Sequence, residues 1–209
     1  GLTAVCSFDV TVTDNEDHTI TCPADISVNV DAGVCGATVT YVAPVGSDNC
    51  AGSTTAQTDG SGYTSGDVFP VGTTTLEYTV TDASGNSTSC TFDVTVTDNE
   101  DPTISCPADI SVNVDPGVCG ATVAYAAPTT TDNCPSEVLT QTAGLASGSL
   151  FPVGVTTNTF LVTDASGNTA TCSFTVTVAD NEDPTISCPA DISVNVDPGV
   201  CGATVAYAA

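Results

Sequence analysis

Apolar and polar residues alternate along this chain with a period of two. Cys90, Phe92, Val94 and Val96 are separated by Thr91, Asp93 and Thr95, and Cys172, Phe174, Val176 and Val178 repeat the pattern. Leu76, Tyr78 and Val80 alternate in the preceding run, as do Ala37, Val39 and Tyr41 earlier. Successive side chains of a strand point to opposite faces, so such runs predict strands with one buried face. The stretches between them are rich in Thr, Ser, Asn and Asp. They carry turn signals, among them Asp31-Ala32-Gly33, Asp115-Pro116-Gly117 and Ala83-Ser84-Gly85-Asn86. No window shows helical periodicity, and the predicted class is all-β.

The same phrases return at a nearly fixed spacing. TDNEDPTISCPADISVNVDPGVCGATVAYAAP, beginning at Thr97, recurs almost verbatim from Ala179 and in diverged form from Thr13. The landmark cysteines Cys22, Cys106 and Cys188 lie 84 and 82 residues apart. A repeat of this length with about seven short antiparallel strands predicts tandem immunoglobulin-like β-sandwiches. The expected organisation is residues 1–13 as the closing strand of one repeat, 14–97 and 98–179 as complete repeats, and 180–209 as the opening of another. Such a stretch is expected to be a window on a longer array. Tyr41, Tyr125 and Tyr207 share one repeat position and are expected in the core.

The eleven cysteines sort along the repeats as one, four, four and two. An even number per complete repeat, with no CxxC pair, reads as disulfides rather than a zinc site and implies an oxidising compartment. Four cysteines allow three connectivities, and spacing does not choose among them. We favour Cys22–Cys90 and Cys106–Cys172, because first and last strands of such sandwiches often lie side by side and both cysteines point inward. Cys35–Cys50 and Cys119–Cys134 then follow, with the partners of Cys6, Cys188 and Cys201 outside this stretch. The bridge from Cys22 to Cys90 would be worth roughly 4 kcal/mol in the chain-entropy account.

Charge narrows the function. The chain has no Lys or Arg, one His and 25 acids, a formal charge of −25. Without cations it cannot neutralise phosphates, which argues against nucleic-acid binding, attachment to anionic lipid and phosphoryl transfer. No apolar stretch approaches the length of a membrane span, and residues 1–20 lack the cationic start of a signal peptide. Trypsin-like proteases find no cleavage site. Asn86-Ser87-Thr88 fits the glycosylation pattern, although Asn168-Thr169-Ala170 at the same repeat position does not, and chance accounts for the match.

Thirteen of the 25 acids fall in three short motifs: the DNED junction, the DNC turn and the TDASGN turn. In a sandwich the junction and the last hairpin share one pole. Asp14, Asn15, Glu16 and Asp17 are therefore expected beside Asp82 and Asn86. Asp98, Asn99, Glu100 and Asp101 are expected beside Asp164 and Asn168, and Asp180, Asn181, Glu182 and Asp183 begin a third set. Asp48 and Asp132 are the weaker ligands, since a Cys35–Cys50 bridge would draw the DNC turn away from that pole. Crowded carboxylates without a cation repel one another. A hard divalent ion relieves this, and Ca²⁺ takes six to eight oxygens from such donors. Solvated Asp and Asn turns are the bland alternative.

The phrases CPADISVNVDPGVCGATVAY, TDNC and FPVGVTTNTFLVTDASGNTATCSFTVTV resemble the hyalin repeat, or HYR domain, across both complete and both partial units. The resemblance implies an immunoglobulin-like extracellular module, and its most widespread cysteine pair matches the Cys22–Cys90 type. Tandem modules resembling these occur in large secreted surface proteins, including giant bacterial adhesins, as stalks or in adhesion. The DNEDP junction is also similar to the calcium-stiffened linkers of cadherins. His18 stands where the other junctions have Pro102 and Pro184, and a solvated substitution is expected there.

The function expected from all this is a secreted, non-enzymatic stalk or filament. Structural calcium would hold its junctions, and further repeats of the same long chain would be its neighbours. Self-assembly into filaments, or a host-cell, surface or glycan ligand held elsewhere, completes the expected partners. The alternative is a calcium-dependent module that itself binds carbohydrate or protein. Paired carboxylates can hydrolyse glycosides, but the acids recur in turns and the chain has no Trp.

Overall fold

The alternating runs form two β-sandwiches in succession, seen in a computed structural model that describes residues 1–207. The first contains β1 (Ile26–Asn29), β2 (Gly36–Thr38), β3 (Thr54–Gln57), β4 (Val68–Pro70), β5 (Gly72–Thr81) and β6 (Ser87–Thr97). One sheet has the order β1-β6-β5-β3, and β2 pairs with β4 in the other. The second sandwich contains β7 (Thr103–Ser105), β8 (Ile110–Asn113), β9 (Gly120–Val123), β10 (Thr129–Thr131), β11 (Val138–Ala143), β12 (Ser149–Pro152), β13 (Gly154–Thr163) and β14 (Thr169–Ala179). Its sheets are β11-β13-β14-β8, β9-β12 and β7-β10. No helix occurs among the described residues, and the class is all-β as the alternation predicts.

The apolar set of each long strand faces inward. Leu76, Tyr78, Phe92, Val94 and Val96 are buried against Phe69 and Ala37 in the first unit. Phe160, Phe174, Val176 and Val178 pack with Phe151 and Ala121 in the second. Burying a side chain of this size stabilises by roughly 1.5–3 kcal/mol, so these cores hold each sandwich together. Tyr41 and Tyr125 pack edge-on against Phe92 and Phe174, at centroid distances of 5.1 and 5.0 Å. Tyr207, expected in a core, is exposed.

One pairing departs from the antiparallel expectation. β1 lies parallel to β6, with Ile26 opposite Val94 and Val28 opposite Val96, and β8 lies parallel to β14 in the same way. Hairpins force antiparallel neighbours, but these strands are joined through the whole unit, which leaves their direction free. The adjacency brings Cys22 to Cys90 and Cys106 to Cys172, and both disulfides form as expected.

The second predicted pair of bridges is incorrect. Cys35 bonds Cys134 of the following unit rather than Cys50, and Cys50 and Cys119 are free and exposed. The reason lies in the ends of the sandwich. Cys35 sits on the turn before β2, at the pole that meets the next unit, where Asn133 donates to the Val34 carbonyl at 3.3 Å.

That turn forms from local sequence alone. The Asp amide bonds the Gly carbonyl five residues on, at 2.7 Å, in Asp31/Gly36, Asp115/Gly120 and Asp197/Gly202. Its third residue is always Gly with positive φ, +72° at Gly33 and Gly117 and +82° at Gly199, a conformation that costs other residues energy. Residues 1–13 and 180–207 otherwise carry no strand.

Candidate metal centre

Three segments distant in sequence meet at one end of the second sandwich. They are the linker at Asp98, the loop at Asp132–Cys134 and the β13–β14 turn at Asp164–Asn168. The hairpin turn shapes itself: Asp164 Oδ1 accepts from the Ser166 and Asn168 amides at 2.9 and 2.7 Å. The Asn168 side chain then donates to Asp164 Oδ2 at 2.8 Å and to the Asp98 carbonyl at 3.3 Å, fastening linker to turn. Asp132 accepts from the Cys134 amide at 3.0 Å, and Asn133 and Ser166 reach the Asp98 carboxylate at 3.4 and 3.3 Å.

Carboxylate oxygens of Asp98, Asp132 and Asp164 thereby lie within 4.8 Å of one another. Asp98 and Asp164 are only 4% and 6% exposed, and the chain has no Lys or Arg to neutralise them. Asp132 Oδ1 and Asn133 Oδ1 are buried without any hydrogen-bond partner, which is costly for polar atoms. Burial pushes the Asp164 carboxyl up, but the hydrogen bonds from Asn168, Gly167 and Ser166 outweigh it and hold it below the ordinary carboxylate value. Asp82 behaves in the same way, through Asn86, Gly85 and Ser84. Three crowded carboxylates with two buried, unpartnered oxygens beside them suit a hard cation.

The first unit repeats the arrangement in looser form. Asp14, Asp48 and Cys50 make one close group, and His18, Asp48 and Asp82 another. Asn86 donates to the Asp14 carbonyl at 3.3 Å and to Asp82 at 2.9 Å, so the side chain of the glycosylation match is already engaged. Asp48 and Asp132 thus sit at the pole with the other acids, because the bridge that would have drawn them away does not form. His18 is not solvated as expected. It is 4% exposed and its Nε2 lies 3.8 Å from Asp82, since its position, like that of Pro102, faces the end of the sandwich.

Other candidate residues do different work. The Glu100 carboxylate accepts from the Gly33 amide of the preceding unit at 3.0 and 3.1 Å, and Glu182 accepts from Gly117 at 3.2 Å. These glutamates clamp the neighbouring turn, a role the sequence reading missed, although Glu and the DxGVC turn recur together in every unit. Glu16 accepts from Asn49. Asn15, Asp17, Asn99 and Asp101 are exposed, as are Asp180, Asn181, Glu182 and Asp183.

Repeated, disulfide-bonded immunoglobulin-like sandwiches with acidic junctions define the class. Residues 13–96 and 97–178 match the family model of the HYR domain, and the chain belongs to that family. Hyalin from Lytechinus variegatus is 35% identical over 83% of this chain, which spans 33% of that protein. Hyalin from Strongylocentrotus purpuratus is 35% identical over 81% of the chain, which spans 14% of it. The Rattus norvegicus protein named for its sushi, von Willebrand factor type A, EGF and pentraxin domains is 33% identical over 81% of the chain, which spans 4% of it. These relatives are animal proteins and lend no support to a bacterial setting. The solved structure of human mucin-like protocadherin EC1-2 is 14% identical, covers 78% of this chain and 98% of its own, and superposes with a TM-score of 0.37. A likeness of that size carries no inference about function. The chain is an extracellular or cell-surface repeat protein, and none of its described residues forms a helix long and apolar enough to cross a membrane.

Proposed function

We propose that this chain is a spacer, the stalk or filament of an adhesion-related extracellular protein, in which calcium fixes each junction between repeats of residues 14–97 and 98–179. The observation that carries this reading is the set of three carboxylates, Asp98, Asp132 and Asp164, brought together from three segments with no cation and with two buried oxygens left unpaired. These residues and the Asn133 side-chain oxygen would hold the ion, with Asp14, Asp48 and Asp82 as the counterparts in the first unit. Calcium supplies charge neutralisation there, and extracellular modules bind it at roughly 0.1–1 mM. The chain's own groups do the positioning: Asn168 ties the linker to the hairpin turn, and Glu100 ties it to the preceding unit. Nothing in such a site moves a proton or a bond, and the role is structural.

The test is a thermal melt of the chain with disulfides intact, titrated with calcium against EGTA, with small-angle scattering on the same samples. A rise in melting temperature together with a stiffer profile supports the reading. Indifference of both observables up to about 10 mM calcium, well above the affinities of extracellular modules, removes the metal from it.

A further inference from the structure

The Cys35–Cys134 bond joins two neighbouring units, and each unit carries one further cysteine of the same kind left unbonded. Cys119 occupies in the second unit the turn position of Cys35, and Cys50 occupies in the first unit the DNC position of Cys134. Both are exposed. The surroundings of Cys119 reproduce half of the completed junction. Glu182 accepts from the Gly117 amide as Glu100 accepts from Gly33, so linker and turn are already docked. What remains is a cleft lined by Gly117, Val118 and Cys119 on one side and Asp180, Asp183 and Thr185 on the other. In the completed junction the Asp132-Asn133-Cys134 loop belongs to this place, with Asn133 on the Val34 carbonyl and Cys134 on Cys35. Cys50 lines the complementary cleft, together with Asp14, Asn15, Glu16 and Asn49 and without a preceding turn.

We infer that the turn cysteine of each unit is a covalent staple to the DNC loop of the unit that follows it, and that the occupant of the Cys119 cleft is that loop from the next repeat. The bond runs forward by one unit every time, so successive repeats form a continuous disulfide ladder instead of a row of separately closed domains. Formation is a balanced oxidation: the Cys119 thiol and the incoming thiol each give up one hydrogen, and a small disulfide such as oxidised glutathione accepts both and leaves as two thiols. The staple does not depend on calcium, so it stands or falls separately from the metal reading.

The first experiment is non-reducing peptide mapping of the chain as it is, cut with a Glu- or Asp-directed protease because no Lys or Arg is present. The expected result is a Cys35–Cys134 peptide with Cys119 and Cys50 free to react with N-ethylmaleimide. Finding Cys35–Cys50 and Cys119–Cys134 overturns the inference. In the second, the chain is continued past residue 209 with a further copy of residues 128–179, which completes the third unit, since 180–209 is identical to 98–127. Oxidation with the glutathione couple should abolish labelling of Cys119 and give a peptide linking it to the added copy of Cys134. Protection of Cys188, which pairs within the completed unit as Cys106 does with Cys172, reports that the unit has folded. Cys119 still labelled in that chain overturns the staple.

Discussion

The same acidic cluster is built twice among the described residues, once against a turn of the other sandwich and once without such a contact. Asp98 is only 4% exposed, whereas Asp14, at the corresponding position of the first unit, is half-buried. The difference comes from the turn around Gly33, which lies against the second unit's linker through Glu100, Asn133 and the Cys35–Cys134 bond. Residues 1–13 bring no such turn against Asp14, and Glu16 accepts from Asn49. At the Asp98 junction the second unit provides the carboxylates and the first provides the turn that covers them. A dry site strengthens attraction to an ion and raises the penalty of leaving it without one.

The cores differ too, and exchanging residues between them gives the largest expected effects. Leu76 is fully buried in the first unit, and its counterpart in the second is Asn158, whose Oδ1 accepts from the Leu145 amide at 2.8 Å and from Gln141 at 3.2 Å. Leu76→Asn should destabilise the first unit by about 2–5 kcal/mol, because the amide would enter a site built for a hydrocarbon. Asn158→Leu should cost the second about 1–3 kcal/mol by stranding the Leu145 amide. Denaturant melts of each variant check both numbers, and two neutral results would mean that the cores are interchangeable.

Next in size is calcium. At a hundred times its dissociation constant an ion binding only the folded state adds about 2.7 kcal/mol. Amide exchange should show more of this protection around Asn168 than around Asn86, because only the former site is covered. Asp132→Asn should abolish the difference. Equal protection at the two sites would show that the cover over Asp98 adds nothing to ion binding.

A smaller effect is expected from His18→Pro, which gives the first junction the residue of the second. Restricting the unfolded chain stabilises by about 0.4–1 kcal/mol where the backbone already fits. A loss of stability would instead show that the imidazole beside Asp82 contributes more than its lost chain entropy.

The smallest is visible only in acid. Burial pushes the Asp59 carboxyl up, but hydrogen bonds from Ser61, Gln57 and the Glu77 amide outweigh it and bring it down to about 2. A lowered folded value means stability that is present above the ordinary carboxylate range and lost as pH falls through about 2. The second unit has no acid in the corresponding loop. Acid titration of each unit's melt should therefore show an extra decline in the first, and Asp59→Asn should flatten it.

Strands, cores and the first disulfide of each unit were legible because each follows from a local rule: alternation, turn chemistry, and inward cysteines on adjacent strands. The convergence of Asp98 with Asp164 was legible for the same reason, since a hairpin and a linker must share a pole. The staple was not. Four cysteines per repeat look self-contained, and a bond from Cys35 across the boundary to Cys134 leaves that count unchanged. A clue was present in the conflict between a Cys35–Cys50 bridge and a DNC turn at the acidic pole, and the structure resolves it in favour of the pole. His18 was misread because single occurrence in a linker says nothing about which way a side chain faces. The parallel β1–β6 pairing left no trace in the alternation, which is blind to strand direction.

Pulling on such a chain brings out what the Cys22–Cys90 bond does. Tension entering near Asp14 and leaving near Thr97 crosses from Cys22, just before β1, to Cys90 in β6 through one covalent link, placed where the first and last strands of the unit run side by side. The bridge spans 68 positions, so roughly 230 Å of contour is locked behind it at about 3.3–3.6 Å per residue. Cys106 and Cys172, 66 positions apart, lock a similar length in the next unit. Even if every sandwich were to lose its core under load, only the short segments around the junctions could lengthen. The result is a tether of nearly fixed reach.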